Sequence, residues 1–174
     1  ILGFVEWNSS GIASPTTAWT TTNLNRIQLF GPGVHKPGDI IQTVTETTDS
    51  DVTSASTTYV VVTGYDTSIT LTSAANIVGV EFHATLYKVT DGRAQRAQLS
   101  RGTTAATNMI GNEGFVTGTG ATIVGAPVSL RAFDKPNTTS AQAYTPQQRS
   151  NNADNTGGVG NSDVAIMILQ EIMG

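Results

Sequence analysis

The chain predicts an all-β protein, an antiparallel β-sandwich of jelly-roll type behind an N-terminal arm, and three observations carry that prediction. Threonine is about one residue in six and glycine numbers 18 of 174, a mixture of β-branched strand formers and turn formers. Apolar residues recur with a period of two in short segments, most clearly over Val78–Val89, as in a strand with one buried face. Turn signals such as Gly64-Tyr65-Asp66 and Thr90-Asp91-Gly92 separate those segments, as they do in sandwiches and jelly rolls.

Residues 1–37 form the arm. Trp7, Trp19, Leu24, Ile27, Leu29 and Phe30 are too many large apolar groups for a free linker. The arm is therefore expected to pack on its own domain or on a neighbouring subunit, with stops at Pro15, Gly31-Pro32-Gly33 and Lys36-Pro37-Gly38. The sandwich is expected over 38–174, opening with strands at Asp39–Val44, Thr57–Thr63 and Ser68–Leu71. In Val78–Val89, alternation sends Val78, Val80, Phe82, Ala84 and Leu86 to the core. Gly79, Glu81, His83, Thr85 and Tyr87 go to the other face. Arg93–Arg101 reads as a polar strand with small inward residues Ala94, Ala97 and Leu99. Further strands are expected at Ala121–Val124, Pro127–Phe133, Ser140–Thr145 and Asp163–Glu171. The last holds Val164, Ala165, Ile166, Met167, Ile168 and Leu169 without polar interruption. Such a run fits a strand buried on both faces, one against the opposing sheet and one against a neighbouring subunit.

Composition excludes several classes. The nine Lys and Arg never cluster and the net charge is −4, so no cationic footprint for nucleic acid is present. No stretch reaches the ~18–20 apolar residues of a membrane helix. Without cysteine there is no disulfide framework, thiolate metal site or Cys nucleophile. ILGFVEWNSS lacks the cationic start of a signal peptide, and a chain beginning at Ile1 reads as a fragment or processed product. His35 lies in a Pro/Gly loop and His83 on the polar face of a strand; both read as surface or interface histidines. No G-x-S-x-G surrounds any serine. Glu46, Asp49 and Asp51 could offer oxygens to Ca²⁺ but lack EF-hand spacing and read as a solvated turn. Gly118-Thr119-Gly120 and Gly157-Gly158-Val159-Gly160 lack the phosphate-loop lysine and read as loop tips. Asn8-Ser9-Ser10 and Asn137-Thr138-Thr139 match the glycosylation acceptor pattern, a chance match in so Thr- and Asn-rich a chain. Arg93, Arg96, Arg101 and Arg131 read as sheet-surface charges. The expectation is a protein with no catalytic set, no metal site and no cofactor.

Five stretches in order carry a resemblance: Pro37–Thr48 (PGDIIQTVTETT), Ser56–Asn76 (STTYVVVTGYDTSITLTSAAN), the long alternating strand, Asp134–Gln147 (DKPNTTSAQAYTPQ) and the closing SDVAIMILQEIM. Together, over residues 37–174, the chain resembles the C-terminal β-sandwich domain of virion structural proteins of tailed bacteriophages, of the tail-fibre or fibre-knob type found in marine and cyanobacterial phages. The resemblance implies a homotrimer located in the virion, in contact with other virion proteins and displaying loops for attachment to the host surface, with a host glycan as a candidate ligand. Three-fold closure also covers an outward apolar strand once per subunit and leaves no free edge. The expected trimer interface is therefore Val164, Ile166, Met167, Ile168 and Leu169. Two other expectations stand beside this one: a capsid decoration (cement) protein that clamps the shell through its arm, and a carbohydrate-binding β-sandwich module outside any virion.

Overall fold

In a computed structural model, residues 2–7, 24–30, 35–102, 109–119 and 123–174 are described, the first two stretches and residue 112 by backbone alone. Every regular element among them is a strand. The chain divides into two compact units, Ile1–Lys36 and Pro37–Gly174. Within the first, β1 (Leu2–Trp7) and β2 (Leu24–Phe30) pair antiparallel, from Leu2 opposite Phe30 to Trp7 opposite Leu24. The expected stops at Pro15 and Gly31–Gly33, Trp19, Asn8-Ser9-Ser10 and Ala121 lie outside the described residues.

The second unit is a sandwich of two antiparallel sheets. The front sheet is built from β3 (Ile40–Thr48), β4 (Val52–Thr53), β7 (Ile77–Lys88), β10 (Val124–Asp134), β12 (Gly158–Val159) and β13 (Ala165–Ile172). On one edge β7 pairs with β10 throughout. On the other it pairs with β13 and then β12, which pair in turn with β3 and β4. The back sheet holds β5 (Val60–Val61), β6 (Thr67–Ile69), β8 (Ala94–Arg101), β9 (Met109–Thr117) and β11 (Gln142–Ser150). There β6 and β5 share one edge of β11, while β8 and then β9 follow on the other. If each interrupted strand is counted once, the sheet orders are first–eighth–third–sixth and second–seventh–fourth–fifth. That is the eight-stranded jelly roll. The all-β sandwich predicted from composition and alternation is the fold observed.

The alternation of β7 holds as expected: Val78, Val80, Phe82, Ala84 and Leu86 are all buried. In β13 the apolar run splits by parity, with Ala165, Met167 and Leu169 inward and Ile166 and Ile168 only half-buried on the other side. Tyr65, read as part of a turn, is also core. Its ring meets Phe82 edge-on at 5.9 Å and its hydroxyl donates to the Ser50 carbonyl at 2.6 Å. In β8 the inward residues are Gln95, Ala97 and Leu99, which face Ser150, Gln148 and Pro146 across the ladder. Ala94 cannot share a face with Ala97, so the buried Gln95 takes the inward place expected for it.

Two further expectations change, and one strand is added. Gly157-Gly158-Val159-Gly160 is not a loop tip: all four residues are buried, and Gly158–Val159 is the short strand wedged between β4 and β7. A Cβ at Gly157 or Gly158 would collide with the Tyr87 or Val52 carbonyl, which explains the glycines. Val124 and Pro127–Phe133 belong to one continuous strand, β10, because Pro127 is outward-facing at the sheet edge, where no ladder donor is needed. Finally β9, which has no clear alternation in sequence, folds against β10. Gly114 lies where a side chain would strike Val128 and Leu130, and Gly111 has φ +74° against Ala132. The two sheets close together at this corner.

Candidate functional site

The interior is apolar in the middle and polar at both ends, and those ends fix how the strands register. At the Val78 end, Glu171 is fully buried on β13. It accepts from the Thr72 amide (2.7 Å), Thr72 Oγ1 (2.8 Å), Asn76 Nδ2 (2.7 Å) and Gln42 Nε2 (2.6 Å). Burial alone would raise its pKa, but hydrogen bonds from Asn76, Thr72 and Gln42 outweigh it and hold the carboxyl below its usual value. Nearby, Tyr144 Oη donates to Asp134 Oδ2 at 2.8 Å and Arg101 Nη1 reaches the same oxygen at 3.1 Å. Burial first, then the bond to Asp134, pushes the Tyr144 phenol far above its ordinary value. The Asp134…Tyr144 spacing of the DKPNTTSAQAY stretch thus has a physical meaning: its two ends bond where the chain crosses from β10 to β11, with Asn137 at φ 56° in the turn. At the opposite end Gln95 Nε2 donates to Gln148 Oε1 (2.9 Å), and Asn155 Oδ1 accepts from the Val89 and Thr90 amides at 3.0 and 3.2 Å. These are structural polar groups with full partners.

Outside the core, the two sheets present different surfaces. The front sheet turns out Val164, Ile166, Ile168, Gln170 and Ile172 in one row, beside Phe133 on β10 and exposed Thr43, Thr45 and Thr47 on β3. Val164 and Phe133 are 62% and 57% exposed. The charges on this face lie together: Arg131 Nε is 3.0 Å from Glu81, His83 Nε2 is 3.5 Å from Glu81, and the Arg131 guanidinium lies 5.0 Å from the Phe133 ring centre. An open groove of about 440 Å³ runs between β10, β7 and the start of β13, lined by His83, Thr85, Pro127, Ser129, Val164 and Ile166. Thr85 Oγ1 donates to Asp163 at 2.7 Å, which ties the turn before β13 to the floor of the groove.

The back sheet turns out side chains of another kind. Arg96 on β8 stands directly opposite Arg149 on β11. Both reach Glu113 on β9, Arg149 at 3.2 Å, and Tyr59 donates its hydroxyl to the same carboxylate. Arg96 lies 5.6 Å from the Phe115 ring centre and Arg149 5.0 Å from that of Tyr59. Beside this cluster, and buried instead of exposed, Gln98 Nε2 donates to Gln147 Oε1 at 2.9 Å, and Gln147 Nε2 to Ser100 Oγ at 2.9 Å.

Of the five residues expected at a subunit contact, Val164, Ile166 and Ile168 form the outward row. Met167 and Leu169 are in the core at 1% and 0% exposure and have no surface to offer a neighbour. Alternation alone could separate the two sets but could not say which faced in. Arg93, Arg96, Arg101 and Arg131 each pair with a carboxylate of the same chain: Asp154, Glu113, Asp134 and Glu81. His35 is exposed. The back-face cluster was hidden from sequence because Tyr59, Arg96, Glu113, Phe115 and Arg149 come from four separate segments. Among the described residues no three His, Asp or Glu are grouped to hold a metal ion, and no helix is long and apolar enough to cross a membrane. No protein-family model matches the chain, and no curated protein matches it.

Proposed function

We propose that the chain is a structural component of a bacteriophage virion, a trimeric knob-type domain displayed for attachment to the host surface. The observation that carries this reading is the outward row Val164, Ile166, Ile168 and Ile172 on a jelly roll whose core is already complete without it. Fully burying one branched side chain is worth roughly 1.5–3 kcal/mol, and the three isoleucines, half-buried, leave part of that unused. A row of them with a threonine margin has the apolar centre and polar rim of a subunit interface. The occupant that fits is a second copy of the chain. The charges there are paired within the chain, so copies can gather about a three-fold axis, each row against its neighbours, without a net charge barrier, and the ring closes on itself. The virion setting is supported by the resemblance that the order of motifs over residues 37–174 carries. Sedimentation equilibrium tests the assembly: a trimer is expected, and an 18.1 kDa monomer at micromolar concentration refutes it. Labelling of the chain in intact particles by electron microscopy tests the location; a label absent from the particle refutes the virion assignment.

A further inference from the structure

We propose that Tyr59, Arg96, Glu113, Phe115 and Arg149, on the outer face of the back sheet, form a binding site for an acidic sugar. The site deepens the attachment reading by naming its ligand, and rests on that reading only for where the sugar comes from.

Arg96 and Arg149 are a directly opposed cross-strand pair, an arrangement that like charges normally disfavour. One carboxylate, Glu113, serves both and also accepts from Tyr59. Two guanidinium groups carry ten N–H donors, against about four lone-pair sites on one carboxylate. The cluster therefore has surplus donors and a net charge of +1 (two Arg, one Glu) in a chain of net charge −4. Among the described residues both Nε atoms are buried without a hydrogen-bond partner, so a ligand can meet only the rest of each guanidinium. What the site wants is an acceptor, and planar guanidinium groups suit a carboxylate.

The rings decide what carries that carboxylate. Phe115 is 61% exposed, and Phe115 and Tyr59 flank the guanidinium groups from two sides. A bare ion would leave both rings unused, whereas the apolar face of a sugar ring covers one of them. The side chains of Arg96, Arg149 and Glu113 are 34%, 31% and 28% exposed, open enough for a ligand to reach. Gln98, Gln147 and Ser100 hold the adjoining part of the face rigid through their mutual hydrogen bonds.

The test uses the whole chain and NMR titration with oligomers of galacturonate, glucuronate and sialate, their carboxyl-reduced counterparts, and acetate. At least one acidic oligomer is expected to bind, its reduced form at least ten-fold more weakly, with acetate not competing at equal carboxylate concentration. Phe115→Ala and Arg149→Gln should each weaken binding at least ten-fold. Glu113→Gln, which removes the internal competitor, should tighten it several-fold. Failure of all three acidic oligomers, equal binding of the reduced forms, full competition by acetate, or variants that bind like the parent would each overturn the site. Sedimentation on the same samples separates the two proposals: trimers that do not bind overturn the site alone, and monomers that bind overturn the assembly alone.

Discussion

The two sheets of this jelly roll share one inner chemistry and differ on the outside. Inward, both contribute aliphatic and aromatic groups: Val80, Phe82, Met167 and Leu169 from the front, Ala97, Leu99, Val116 and Tyr144 from the back. Outward, the front sheet shows a row of branched aliphatics with its charges paired beside them, and the back sheet shows two arginines, a glutamate and two rings. Inner faces are alike because folding demands the same thing of each. Outer faces are free of that demand, so a departure from Thr, Ser and Asn there is where functional information lies.

The sharpest way to break the comparison is to strike the shared interior. Phe82→Ala should lower stability by about 3–5 kcal/mol and Met167→Ala by about 2–5 kcal/mol, read by denaturant unfolding. An unchanged midpoint for either would mean that inner and outer faces have been interchanged. Next comes Glu171, which ties β13 to β3 and to the segment after β6. Glu171→Ala leaves buried donors of Asn76 and Thr72 unmet, at about 1–3 kcal/mol for each such group. Because its folded-state pKa is lowered, the carboxylate's stabilisation is complete above the unfolded value of about 4.3. It drains away as pH falls through the folded value. Glu171→Gln should therefore be less stable at neutral pH and should lack that part of the acid loss; a parental acid profile would contradict this. Smaller again is Gly114→Val, which overpacks the corner between β9 and β10 for about 1–3 kcal/mol. At the far end of the scale, Arg149→Gln on the back face should change stability by no more than about 1 kcal/mol, since the pair it breaks is partly solvated. A larger loss would make that cluster part of the fold instead of a surface laid upon it.

Most of the fold was legible in the sequence, because a period of two is enough to sort Val78 from Gly79 and Met167 from Ile168. What it could not do was orient the two sets of β13, which is apolar on both sides, so that either could have faced in. The turn glycines were readable where φ is positive, as at Gly64 (90°) and Gly92 (64°). Gly114, Gly157 and Gly158 were not: they are there for close approach of strands distant in sequence, and look like loop residues until the neighbour is known. The buried polar ends were hidden for a related reason. Gln95, Gln148 and Glu171 read as surface residues by type, and only partners from other strands make them interior. The back-face cluster is the extreme case, assembled from four segments with no local spacing at all.

The proposed trimer gives the two outer faces different work, the front one joining copies and the back one remaining outside the joint. Sedimentation equilibrium of three proteins, the parent, Ile168→Asp and Arg149→Gln, tests it most directly. A charge at Ile168 sits on the outward row without entering the core, so the parent and Arg149→Gln should be trimers and Ile168→Asp a folded monomer. A monomeric parent, an Ile168→Asp variant that still forms trimers, or an Arg149→Gln variant that falls apart would contradict the account.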